Sequence, residues 1–136
     1  MEVLAYYNEM SQTPGANKPL AFERNLAKIG EAITYSAAEK SFILAESGLY
    51  EIYYQAMCSN DQPKETADIL ALHLMNGDTF VPGGMSGTSV QSSYESLNLS
   101  CMTIMDVTSP PAKITLITGH TGGLFGGAFM LIRKLD

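Results

Sequence analysis

Short runs of alternating apolar and polar residues recur along the chain, with turn-forming residues between them. The longest run extends from Leu49 to Cys58. Because successive strand residues point to opposite faces, it predicts a strand with a buried face made of Tyr50, Ile52, Tyr54, Ala56 and Cys58. The other face carries Glu51, Tyr53, Gln55 and Met57. A face this aromatic indicates contact with another subunit rather than with water alone.

Weaker runs of the same kind predict further strands. They cover residues 32–35, 41–44, 69–75, 97–105, 113–118 and 128–133. A helix over 67–75 is the alternative for one of them, since Ala and Leu are good helix formers. Asn76-Gly77 predicts a hairpin turn after it. We expect irregular connections at the polar residues 60–64, at the Gly- and Ser-rich residues 81–93, and at 119–127, which hold five glycines.

Many strands with turns between them, and little helical periodicity, predict an all-β fold, either a sandwich or a barrel. The length of 136 residues fits one domain covering 1–136. The closing run, 128–133, is apolar on both faces. A strand of that kind has to be covered on both sides, by the other sheet and by a neighbouring chain.

Composition points to self-association as well. Hydrophobic residues make up 46% of the chain and charged residues 16%, against about 25% charged in ordinary soluble domains. One core of this size leaves apolar patches at the surface, and large patches mark interfaces. The net charge of -6 argues against nucleic acid as a partner, because phosphate binding needs clustered Lys and Arg.

No stretch of about 18 apolar residues is present, so we expect no membrane insertion. The segment 1–7 shows no basic residues followed by an apolar run, so no secretory signal is visible. Cys58 and Cys101 have neither redox nor zinc spacing, and both fall on faces predicted to be buried. We interpret them as core residues, with a disulfide as the open alternative.

Four segments carry a resemblance to a known family. They are Phe42 followed by Ser47-Gly48-Leu49-Tyr50-Glu51-Ile52, then 96–105, 112–116 and 127–132. From Leu20 onward the chain resembles the C1q/TNF-like jelly-roll superfamily, in particular the C-terminal trimerisation domains of bacterial collagen-like spore-surface glycoproteins of the BclA type. The turn at 108–112, with its two prolines, departs from the Gly-Asp turn common in the family.

The resemblance implies a two-sheet jelly roll that forms a homotrimer at the end of a collagen-like stalk. No Gly-X-Y repeat occurs in this chain, so such a stalk would lie outside it. It also implies an extracellular or spore-surface (exosporium) location, with a host protein or a glycan as a further partner. We expect the trimer interface to contain Tyr53, Met57, Met102, Ile104, Phe129 and Leu131.

The chain shows little that indicates catalysis. Gly84-Met85-Ser86-Gly87 lacks the spacing of a nucleophile elbow, and we interpret it as a loop. Gly122–Gly127 has no phosphate-binding context. No zinc or calcium spacing appears, so we expect no metal, no cofactor and no catalytic residue. His120, in the glycine-rich loop, is the candidate ligand contact, whereas His73 is interpreted as structural or as part of an interface.

Two other functions are alternatives for a jelly roll. A carbohydrate- or receptor-binding, lectin-like module predicts a shallow pocket near 83–93 or 119–123, with tyrosines such as Tyr6, Tyr7, Tyr53 or Tyr54 stacking on sugars. A cupin-like enzyme, also a jelly roll, needs a cluster of metal-binding histidines, and the chain has two histidines in all.

Overall fold

The computed structural model describes residues 1–61, 68–91 and 95–135, and these ranges contain ten β-strands and no helix. The strands are β1 (Val3–Asn8), β2 (Arg24–Ile29), β3 (Ile33–Ser36), β4 (Ser41–Leu44), β5 (Gly48–Ser59), β6 (Asp68–Asn76), β7 (Thr79–Val90), β8 (Leu97–Val107), β9 (Ala112–Thr118) and β10 (Leu124–Leu135).

The strands form two five-stranded sheets. The first sheet has the order β2-β1-β10-β5-β8, and the second has the order β3-β4-β9-β6-β7. All pairings between neighbouring strands are antiparallel. Consecutive strands such as β4 and β5 lie in different sheets, which is the crossed connectivity of a jelly roll. The predicted all-β, two-sheet jelly-roll fold is confirmed.

A hydrophobic core fills the space between the sheets. The predicted inner face of β5 is confirmed, because Tyr50, Ile52, Tyr54, Ala56 and Cys58 are all at most 1% exposed. The Tyr54 hydroxyl reaches across to the second sheet. It lies 3.2 Å and 2.9 Å from the carbonyl oxygens of Leu72 and Gly84, to which it donates. Burial raises the pKa of Tyr54 well above its usual range, so this hydroxyl stays protonated.

Two local predictions are confirmed. Residues 69–75 lie within strand β6, so the helical alternative is wrong for the described part of that segment. The Asn76-Gly77 turn joins β6 to β7, and Gly77 has the positive φ of 57° that glycine tolerates. The predicted polar loop at 60–64 lies for the most part outside the described residues.

Residues 81–90 are not an irregular connection but most of strand β7, and Ser86 lies in that strand rather than in a loop. The prediction failed because three glycines, two serines and few apolar residues leave no visible alternation there. The β6–β7 ladder nevertheless pairs from Asp68↔Val90 to Asn76↔Thr79, with a bulge opposite Leu74. Backbone hydrogen bonds to β6 therefore form this strand, although its side chains show no alternation.

One loop boundary and two strands also differ from expectation. The loop predicted at 119–127 ends earlier, because β10 begins at Leu124. Strands β1 and β2 were not predicted, and all of β2 is exposed, so burial does not impose a periodicity on it. Pairing with β1 holds β2 in the sheet.

Neither cysteine forms a disulfide. Cys58 is buried, as predicted, and burial raises its pKa to about 11. Cys101 faces inward but is only half-buried, because its strand lies at the edge of the sheet. Its thiol donates a hydrogen bond to the Gly83 carbonyl oxygen at 2.8 Å. The interpretation of Cys101 as a core residue is therefore only partly right.

Candidate functional site

The outward side of the first sheet carries a continuous apolar surface. Strands β10, β5 and β8 lie next to one another in this sheet, and Leu131, Tyr53 and Met102 are directly paired across them. Paired residues on neighbouring strands have their Cβ atoms about 4.5–5.5 Å apart, so these three side chains form one row. We call the outward side of β10, β5 and β8 the apolar face.

All six residues predicted for a subunit interface lie on the apolar face. Phe129 lies beside Leu131, and its ring meets that of Tyr53 edge-on with the ring centres 6.1 Å apart. Met57, Met102 and Ile104 are 43%, 64% and 58% exposed. Methionine adapts its shape to a partner surface, and exposed apolar residues grouped in this way mark interaction sites. The structure brings the six together, while their contact with another subunit stays a prediction.

An ion pair lies within the apolar face. Arg133 on β10 is paired with Glu51 on β5, and the Nη2–Oε2 distance is 2.9 Å. The Nε atom of Arg133 is buried but has no hydrogen-bond partner within the described part of the chain. A buried donor without an acceptor costs free energy.

The apolar surface extends beyond the predicted residues. On the neighbouring strands β1 and β2, Tyr7 is half-buried, while Leu26 and Ile29 are 60% and 51% exposed. Tyr7, Leu26 and Phe129 line a cavity of about 280 Å³ at one end of the apolar face. Leu26 and Ile29 were not predicted, and Tyr7 was named only as a residue that could stack on sugars, because β1 and β2 were not recognised as strands. The signal that was available is the unbroken run of apolar and aromatic residues from Val3 to Tyr7.

The second sheet has a separate apolar region on its own outward side. Ile69, Phe80 and Met85 are 64%, 65% and 63% exposed there. Two adjoining cavities, of about 430 and 310 Å³, share His73, Phe80 and Met85 in their walls. This region faces away from the apolar face, because the two sheets lie back to back on a common core.

His120 and His73 both line the 310 Å³ cavity. His120 was predicted to be a ligand contact and His73 a structural or interface residue, and the structure places both at one surface. The ring of His73 lies 5.3 Å from that of Phe80. Phe80 and Met85 were missed because they belong to the segment that was taken for a loop.

Neither a metal site nor a membrane span is evident in the ranges described. Residues 1–61, 68–91 and 95–135 contain no group of three or more His, Cys, Asp or Glu side chains placed to hold a metal ion. The same ranges contain no helix that is long and apolar enough to cross a bilayer.

The chain has the C1q/TNF-like jelly-roll fold. A globular domain of zebrafish complement 1qA protein superposes with a TM-score of 0.72 at 12% identity, covering 100% of this chain and 98% of that one. Crystal structures of murine APRIL at pH 5.0 and pH 8.5 both give 0.68, at 12% and 11% identity, with 98% of each chain covered. No protein-family model matches the sequence, and no curated protein matches it.

Proposed function

We propose that this domain is a homotrimerisation head in which three copies pack their apolar faces around a common axis. The observation that carries the proposal is the row formed by Leu131, Tyr53 and Met102, extended by exposed Ile104 and Met57. The number of three is inferred from the C1q/TNF-like resemblance, which the shared fold supports. Burying apolar surface stabilises an assembly by about 25 cal/mol for each Å² removed from water.

The trimer proposal is tested by placing a charge on each outward surface in turn. Met102 on the apolar face and Met85 on the second sheet are 64% and 63% exposed, so they form a matched pair. We expect Met102→Asp to break the trimer, because a carboxylate buried among apolar side chains is costly. Met85→Asp should leave the trimer intact.

Sedimentation velocity measures the outcome, and circular dichroism verifies that both variants fold. Dissociation by Met102→Asp alone supports the proposed interface. If both variants sediment as the wild type does, or if Met85→Asp alone dissociates, the apolar face is not the subunit interface.

We further propose that the domain is the C-terminal head of a collagen-like spore-surface glycoprotein and takes no part in catalysis. The segment from Phe42 to Ile52, with the strand order that follows it, supports this assignment through its resemblance to the exosporium domains. An antibody to the domain should detect a band on purified spores of the organism that makes this protein. Collagenase should shorten that band, and a band confined to the cell interior would contradict the assignment.

A lectin-like or receptor-binding module is the second candidate. The observation that favours it is the pair of adjoining cavities on the second sheet, whose linings include Gly83, Gly87, Gly119 and His120. Those residues fall within the two segments from which a pocket was expected. The expected tyrosines are absent from the described lining of both cavities. This candidate does not compete with the trimer, since the cavities lie on the other sheet.

A further inference from the structure

The outward side of the second sheet contains a flat-floored trough that runs across the strands. Its floor consists of the small residues Gly119, Ala71 and Gly87, side by side on adjacent segments. The Gly119 amide donates to the Ala71 carbonyl oxygen at 3.0 Å, and Ala71 is paired with Gly87 in the β6–β7 ladder. A Cβ atom added at either glycine would lie 3.5 Å from the Ala71 Cβ, an ordinary van der Waals contact, and the other nearest atoms at both sites belong to the β6 backbone.

Larger side chains rise on both sides of this floor. On one side, Ile117, His73 and Met85 are paired across β9, β6 and β7. On the other side lies Ile69, two residues before Ala71 on the same face of β6. From Ile69 to His73 the strand advances about 13 Å at about 3.3 Å per residue, and three strands span about 10 Å. A single six-membered ring lying flat fits a floor of this size. An extended peptide in the trough would have to cross the strands and could not pair with them as a further strand.

Among the described residues, the lining is apolar and hydrogen-bonding and carries no carboxylate, ammonium or guanidinium group. The described lining of both cavities contains no Asp, Glu, Lys or Arg, although the chain as a whole has a net charge of -6. Its polar side chains are those of Asn17, His73 and His120. None of the three side chains makes a hydrogen bond within the described part of the chain, so their donors and acceptors are available to a ligand.

We propose that the trough binds a neutral sugar ring. A pyranose has an apolar face of C–H groups and a rim of hydroxyls. The exposed ring of Phe80 and the Met85 side chain supply apolar contact for the C–H face of the sugar. The amide of Asn17 and the imidazoles of His73 and His120 supply hydrogen bonds for its hydroxyls. The cavity above the trough floor has a volume of about 310 Å³, which lies in the range of small-ligand sites. The uncharged lining disfavours phosphorylated or carboxylated sugars.

This inference gives the second candidate function a location and a ligand class, and it does not depend on the trimer. The trough lies on the second sheet, so a sugar can bind whatever the oligomeric state. Measuring the mass of each sample used for binding separates the failure of one proposal from the failure of the other.

The test uses the methyl glycosides of glucose, galactose, mannose, rhamnose and N-acetylglucosamine as probes. Saturation-transfer NMR detects binding, and titration gives its dissociation constant. Ala71→Leu fills the trough from its floor, and Met85→Ala removes part of one wall. Met10→Ala is the matched control, because Met10 is 67% exposed and lies outside both cavities.

We expect at least one glycoside to bind with millimolar or better affinity. Ala71→Leu should raise its dissociation constant at least tenfold, and Met10→Ala should leave it unchanged. Circular dichroism shows whether Ala71→Leu folds, and Met85→Ala, which needs no extra space, should weaken binding in the same direction. The proposal is overturned if no glycoside binds at millimolar concentrations or if binding survives both trough variants. Capture of an apolar dye or a peptide in the trough without any glycoside binding overturns it as well.

Discussion

Tyr53 and Tyr54 are adjacent on β5, yet their side chains serve opposite sides of the sheet. Tyr54 is fully buried and links the two sheets through its hydroxyl, while Tyr53 lies on the apolar face and donates to Gln55 Oε1 at 3.1 Å. The period of two in a strand puts one in the core and the other on the surface. Tyr54 therefore contributes to the stability of the fold, whereas Tyr53 contributes to the apolar face.

We predict that Tyr54→Phe lowers the free energy of unfolding by about 1–3 kcal/mol, because it removes a buried hydroxyl that satisfies the Gly84 and Leu72 carbonyl oxygens. Tyr53→Phe is the control and should stay within about 0.5 kcal/mol of the wild type. Urea denaturation at one fixed protein concentration measures both. Equal losses for the two variants would mean that the Tyr54 hydroxyl does not connect the sheets.

The contribution of the Glu51–Arg133 ion pair to stability indicates whether another subunit covers the apolar face. Breaking a buried pair costs about 3–5 kcal/mol, whereas an exposed pair contributes about 0–1 kcal/mol. We expect the loss for Glu51→Gln to exceed the exposed-pair range, because in a trimer Arg133 would keep its charge in an interface without a counter-ion. Urea denaturation at a concentration where the trimer persists measures the loss.

The control for this prediction is Glu39→Gln. Glu39 forms an exposed ion pair with Lys113 on the second sheet at 2.7 Å, away from the apolar face. We expect its loss to be at most about 1 kcal/mol. A similarly small loss for Glu51→Gln would indicate that the apolar face stays in water.

At the scale of the strand, β7 is held by backbone hydrogen bonds although its sequence shows no alternation of apolar and polar residues. Opposite Leu74 the strand bulges through Val81, Pro82, Gly83 and Gly84. Side chains of β8 close this edge, since Thr103 Oγ1 donates to the Pro82 carbonyl oxygen at 2.7 Å and the Cys101 thiol donates to that of Gly83. Bulges and edge coverage of this kind keep an edge strand from pairing with other chains.

The glycines of β7 differ in the space around them, and this gives a strand-scale prediction. A Cβ atom at Gly84 would lie 2.8 Å from Leu74 Cβ and 3.0 Å from the Val81 carbonyl oxygen, whereas at Gly87 the nearest atom is 3.4 Å away. We expect Gly84→Ala to lower the free energy of unfolding by about 1–3 kcal/mol, since overpacking displaces the core. Gly87→Ala should change it by less than about 1 kcal/mol.

Urea denaturation of the two glycine variants side by side measures the difference. If Gly84→Ala is as stable as Gly87→Ala, the bulge has more room than the structure shows. If Gly87→Ala is the less stable of the two, the packing of β7 against β6 is described wrongly.

Strands with strong alternation could be predicted from the sequence, and strands held mainly by their neighbours could not. β5 combines a fully apolar face with a mixed one, so its inner residues were identified correctly one by one. β7 is interrupted by a bulge and mixes Phe80 and Met85 with glycine and serine on its outward side, and β2 is exposed throughout, so neither shows a clear alternation. The apolar face follows from β5, β8 and β10 alone, but the trough depends on β7 and was not foreseen beyond its two candidate segments.

At the scale of the molecule, the two sheets present different surfaces. The first sheet offers large exposed apolar side chains with one ion pair among them, and the second offers a trough floored by small residues. Assembly through one sheet and ligand binding on the other would use both surfaces without competition.

The mass of the wild-type protein in solution tests the central claim most directly. Multi-angle light scattering during size exclusion measures it without assumptions about shape, and a dilution series shows whether the assembly persists. One chain has a mass of 14.7 kDa, so the homotrimer has a mass of 44.1 kDa. The account predicts 44.1 kDa across the series, and a stable species of 14.7 kDa throughout would contradict it.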